Sequence, residues 1–152
     1  MTGLRRLALE IFARLPGFLR RLVVRVITPH YVLGAVLALR QGDEVLMLQS
    51  RHVRFAWTLP GGLMQRGETP REALDRELRE ELRIEVELDA EATVVIVDPL
   101  ARRVDFVFER FVTERPELHV DGTEILAARW MPVGSELCDD VARDALTRLA
   151  NR

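Results

Sequence analysis

Residues 62–84 read GLMQRGETPREALDRELREELRI, and this stretch decides the fold. Thr69 to Leu82 has the marks of a helix. Thr69 can cap its start, Pro70 suits the first helical position, and Glu72 stands three residues after the cap, as in a reciprocal capping box. At about 100° per residue, Glu77, Glu80 and Glu81 fall within an arc of about 100°. Leu74, Leu78 and Leu82 form the neighbouring stripe, which anchors the helix to a core. The acidic face thus borders the buried face and is expected at the rim of a cleft.

Like charges this close repel by a few tenths of a kcal/mol per exposed pair, and by more when desolvated. Clustering them therefore points to a cation. Oxygen-only donors, with no Cys or His at ligand spacing, select hard ions: Mg²⁺ first, with Mn²⁺ as a substitute. Such a site suits hydrolysis of a diphosphate bond. There metals neutralise phosphate oxygens and orient a water, while a spare carboxylate takes its proton. Gly61-Gly62 would let the backbone approach a metal or phosphate closely. The competing reading is a solvated helix face carrying acid–arginine pairs. The whole string, rather than the helix alone, decides against it.

Outward from the helix, Tyr31–Leu39 and Glu44–Ser50 read as a hairpin turned at Gln41-Gly42-Asp43. Trp57–Leu59 reads as a short strand ended by Pro60-Gly61-Gly62. Further strands are expected near 86–97, 103–113 and 124–131, and a closing helix over 139–150 capped by Asp139 or Asp140. Strands on both sides of a central helix indicate an α+β fold, a mixed sheet in an α/β/α sandwich. Leu4, Leu7, Ile11, Leu15, Phe18, Leu22 and Val26 recur at helical spacing, broken by Pro16-Gly17, so two short helices are expected over 3–15 and 17–27. The expected organisation is a basic amphipathic helical extension over 1–28 and a catalytic domain over 29–152.

The chain has 152 residues, 48% hydrophobic and 30% charged, which suits one core. Its formal charge is −2, but residues 1–28 carry six arginines against Glu10, leaving +5 there and −7 on the remainder. All 22 cationic side chains are arginine. Cys138 is the one cysteine, so no intrachain disulfide can form, and a reducing, cytoplasmic setting is expected. No stretch reaches the roughly 18 apolar residues of a membrane span, and the recurring arginines speak against a signal peptide.

The string Gly62, five residues, Glu68, seven residues, Arg76-Glu77-Leu78-Arg79-Glu80-Glu81-Leu82-Arg83-Ile84 resembles the Nudix box. Trp57-Thr58-Leu59-Pro60-Gly61 looks like that family's lead-in. The resemblance implies a Nudix-like mixed sheet between helices and a Mg²⁺-dependent pyrophosphohydrolase acting on a nucleoside diphosphate linked to another moiety. The alternative is a catalytically idle, nucleotide-sensing module of the same fold. It also implies that Glu77, Glu80, Glu81 and the Gly61 carbonyl bind metal, and that Arg76 orients the neighbouring carboxylates. Glu77 is the chosen general base, although some members place the base on a later loop. Glu124, six residues before Trp130, stands where some members keep an extra glutamate for metal or water.

Arg51 and Arg54 are candidates for gripping a phosphate or base, against a solvated-loop reading. His30, His52 and His119 are read as structural or exposed. Phe106 and Phe108 share a strand face that is more often core than base platform. Arg83 replaces the glycine that normally ends the box helix in a left-handed turn. The expectation is an altered helix end with the carboxylates undisturbed. The N-terminal helices are expected to pack on the domain or form a homodimer, with an anionic membrane surface the less favoured partner. No stable nucleic-acid binding is expected.

Overall fold

A computed structural model describes residues 2–28, 30–51, 56–120 and 122–152. Two compact units result, Met1–His30 and Tyr31–Arg152. The first consists of helices α1 (Thr2–Arg14) and α2 (Gly17–Ile27), separated at Pro16.

The second unit is built on β1 (Val32–Gln41), an apolar strand that lies at the centre of a mixed sheet. Gly42, at φ 60°, turns the chain into β2 (Glu44–Ser50), the antiparallel partner. The remaining strands are β3 (Gly61–Leu63), β4 (Val94–Asp98), β5 (Arg103–Phe111) and β6 (Ile125–Pro132). The order is β4-β5-β1-β2-β6, with β3 also on β1, and β1–β5 is a parallel pair. Alternation along β1 divides the core. Ala35, Leu37 and Leu39 face helix α3 (Pro70–Leu82) through Leu74, Leu78 and Leu82. Val36 and Ala38 share the other side with Ala142, Ala145, Leu146 and Leu149 of α4 (Asp140–Ala150). Period-two burial on both faces requires a helix over each. The α+β sandwich expected from the sequence is therefore the observed architecture.

Helix α3 begins as the sequence dictates. The Glu72 N–H donates to Thr69 Oγ1 at 3.3 Å, and the Thr69 N–H donates to Glu72 at 2.8 Å. This reciprocal cap contributes about 1 kcal/mol. Asp139 caps α4 through the Ala142 N–H at 2.8 Å.

Three expectations are corrected. Trp57–Leu59 is not a strand: Trp57 and Thr58 make only isolated bridges, to Cys138 and Leu48. The strand lies instead at Gly61–Leu63, whose backbone pairs with Gly34–Val36 where glycine permits close approach. Of residues 86–97 only Val94 onward joins the sheet. Ile84 and Leu88 alternate because they plug the core below α3, not because they ladder. Helix α3 also ends without alteration. Arg83 adopts the left-handed conformation, φ 56° and ψ 35°, where a glycine was missed. Leu82 and Ile84, both buried, dictate this reversal, and the chain accepts about 1–2 kcal/mol of strain.

Candidate active site

The site grows from the meeting of β3 with α3. Gly61 has φ 130°, and a Cβ there would run into the Ala35 carbonyl. At Gly62 a Cβ would stand 2.5 Å from Glu77 Oε1 and 2.6 Å from its Cδ. The double glycine thus lets β3 hug β1 and makes room for the Glu77 carboxylate against the strand. From the next turn of the helix, Glu81 Oε2 accepts the Gly61 N–H at 3.2 Å. Backbone and acidic face are joined at that point.

Arg76 organises the remaining acids. Its Nε and Nη2 donate to Glu68 at 2.8 and 3.1 Å, and Nη2 also reaches the Leu63 carbonyl at 3.1 Å. Nη1 donates to Glu77 Oε1 at 2.8 Å and to Glu80 Oε2 at 3.2 Å. All these donors are on one planar group, which only arginine can present. The Arg76 hydrogen bonds to Glu68 raise the guanidinium pKa above its ordinary value, against the opposing effect of burial, with help from Glu77. The Arg76 hydrogen bond and the Gln65 N–H hold the Glu68 carboxyl below the ordinary glutamate value.

Among the described residues, no three His, Cys, Asp or Glu side chains stand grouped as a ready metal cage. Glu77 and Glu80 both pair with Arg76 Nη1. The donor chemistry nonetheless fits a hard divalent ion. The acids on this helix face are all oxygen donors, and the Glu80 side chain is 61% exposed.

Glu124 is exposed at the entry to β6, and its carbonyl accepts the Arg51 N–H at 2.9 Å. The Arg51 guanidinium donates to the Thr123 and Gly122 carbonyls at 2.7 and 3.2 Å, so it pins this loop. Arg54 and His52 fall outside the described residues. Cys138 is buried and donates to the Ser135 carbonyl. Phe108 belongs to the core and Phe106 packs against it.

One acid escaped the sequence reading. Asp105, 3% exposed, sits on β5 opposite Gly34, with both oxygens accepting from Arg103 Nε at 2.9 and 2.7 Å. A Cβ at Gly34 would strike Asp105 Oδ1. The available signal was an aspartate breaking the apolar face of an otherwise alternating strand.

The model of the NUDIX domain matches residues 28–148. The 8-oxo-dGDP phosphatase NUDT18 of Mus musculus is 51% identical over 53 residues. That match covers 34% of this chain and 16% of the mouse protein's length. A MutT NUDIX hydrolase from Burkholderia pseudomallei superposes with TM-score 0.66 at 22% identity, covering 79% of this chain and 98% of that one. The dihydroneopterin triphosphate pyrophosphohydrolase of E. coli does so at 0.65 and 22% identity, covering 81% and 99%. The chain belongs to the NUDIX family.

Proposed function

We propose that this chain is a Mg²⁺-dependent pyrophosphohydrolase that cleaves the diphosphate bond of a nucleoside diphosphate carrying a further moiety. The observation that carries the reading is the placing of Glu77 against Gly62 and of Glu81 on the Gly61 N–H, with Arg76 binding Glu77 and the neighbouring Glu80. Nudix enzymes use divalent cations, and the all-oxygen donor set favours Mg²⁺, with Mn²⁺ as a substitute. Glu80, Glu81 and the Gly61 carbonyl would hold the ion, and Glu77 completes that set. Once bound, the ion supplies charge neutralisation for the phosphate oxygens and acidifies a water.

The chain's own groups do the rest. Glu77 accepts the proton of the attacking water, whose oxygen bonds to phosphorus. The bridging P–O bond breaks, and its electron pair leaves with the departing phosphate. Arg76 fixes the direction of Glu77 and Glu80, and its pairing with Glu68 fixes Arg76. Glu124 is assigned to the metal or water side, on a loop that Arg51 positions. Arg54 is kept as a candidate for gripping substrate phosphate. We place the enzyme in a reducing cytoplasm, the setting that suits a buried free Cys138.

The test is a panel of nucleoside diphosphate derivatives with Mg²⁺, scored by released phosphate and nucleoside monophosphate. The identity to an 8-oxo-dGDP phosphatase puts oxidised nucleoside diphosphates first on it. Turnover of one class supports the reading. Binding without turnover throughout overturns it in favour of a sensing module.

A further inference from the structure

Helices α1 and α2 leave much of their apolar surface outside. No residue of α2 is buried, and Phe18, Leu22, Val26 and Ile27 are 64, 55, 74 and 73% exposed. On α1, Leu7 and Ile11 are 54 and 56% exposed. At about 100° per residue, Phe18, Leu19, Leu22, Val23, Val26 and Ile27 occupy one half of α2. Arg20, Arg21 and Arg25 occupy the other half together with Val24, 47% exposed, and Arg20 and Arg25 stand at the borders of the apolar arc. From a border position an arginine stem can lie along apolar matter while its guanidinium reaches a polar layer.

The charge has one sign. The acid in this segment, Glu10, pairs with Arg6 at 3.5 Å, leaving the other arginines in excess. Against the same helices of a second copy they would set +5 against +5, whereas an anionic lipid surface offers both an opposite charge and an apolar layer for the exposed arc. Among the described residues, no helix is long and apolar enough to cross a membrane. We propose that α1 and α2 lie on the surface of an anionic phospholipid bilayer, with the apolar arc at the headgroup–acyl boundary and the arginines on lipid phosphates.

The test floats the full chain with vesicles of phosphatidylcholine alone and of equal parts phosphatidylcholine and phosphatidylglycerol. Binding is expected to the anionic vesicles only, and to weaken as salt rises. Phe18→Asp/Leu22→Asp and Arg20→Glu/Arg21→Glu/Arg25→Glu should each lower partitioning at least about tenfold. Both should keep the wild-type melting temperature and solution hydrolysis rate, which shows that the rest of the chain still folds. Absence of flotation with anionic vesicles overturns the proposal, as does equal flotation with neutral ones or flotation unchanged in both variants. A dimer in light scattering that Phe18→Asp/Leu22→Asp makes monomeric, with no flotation, assigns the face to a second copy and also overturns it.

Discussion

Arg76 and Glu68 form a two-pronged ion pair, Nε to Oε1 at 2.8 Å and Nη2 to Oε2 at 3.1 Å, while the third nitrogen of the same guanidinium holds Glu77 and Glu80. Glu68 is eight residues away from Arg76, and the five-residue spacer after Gly62 brings it back over the start of α3. Through one guanidinium the pair is thus tied to two further carboxylates of α3.

Arg76→Lys should therefore not rescue function. An ammonium is a point donor and cannot hold Glu68 and Glu77 in separate directions. The expected outcome is a loss of about 10–100-fold in Mg²⁺ affinity or turnover, the usual effect of removing a group that orients metal ligands. Mg²⁺ titration of the rate separates this from a folding defect, because saturating metal should restore part of the activity.

Gly62→Ala puts a methyl group 2.5 Å from Glu77 Oε1. Glu77 must then turn away, because the pairing of Gly62 with Ala35 fixes the strand. Activity should fall at least about tenfold with little change in KM, since geometry at the reacting centre is lost while substrate contacts remain. Steady-state kinetics on the variant measure that split.

Arg83→Gly should stabilise the protein. Releasing the left-handed strain contributes about 1–2 kcal/mol, and the extra backbone freedom of glycine in the unfolded chain takes back about 0.5–1. The net expectation is about 0.5–1 kcal/mol, read from the denaturant midpoint, with hydrolysis unchanged.

Glu68 gives a pH prediction. Its carboxyl is held low by Arg76 and the Gln65 N–H, so the folded state binds its proton less readily than the unfolded chain does. This contribution is fully present above the ordinary glutamate value of about 4.3 and is lost as pH falls through the lower folded value. Melting temperature should drop across that acid range, and Glu68→Gln should flatten the drop.

The sequence exposes features that repeat or cap. Helix α3 is readable because its leucines, Thr69 and Glu72 act within one or two turns, and the shared arc of Glu77, Glu80 and Glu81 follows from the same geometry. The sheet is readable from the apolar run of β1, the turn into β2 and the alternation in β5. Strand β3 is not, because Gly61 and Gly62 have low strand propensity and pair only through the contact that β1 provides. The left-handed Arg83 is hidden because the tertiary anchors Leu82 and Ile84 override its local preference. Asp105 is hidden because its tolerance depends on Gly34, about seventy positions away, which no local window contains. The contacts of Arg51 are hidden in the same way, because its two carbonyl acceptors come from a loop also about seventy positions distant.

The central claim is a metal-dependent hydrolase built on the α3 carboxylates, and Glu80→Gln tests it most directly. Glu80 is well exposed, so the amide should leave the fold and melting temperature intact. The measurement is Mg²⁺-dependent release of nucleoside monophosphate by both proteins, on the best substrate in the panel. The account predicts wild-type turnover that vanishes without Mg²⁺ and falls at least about a hundredfold in the variant, beyond the ~10–100-fold typical of residues that merely support a ligand. Equal turnover by the two proteins, or turnover undiminished by chelation of the metal, would contradict it.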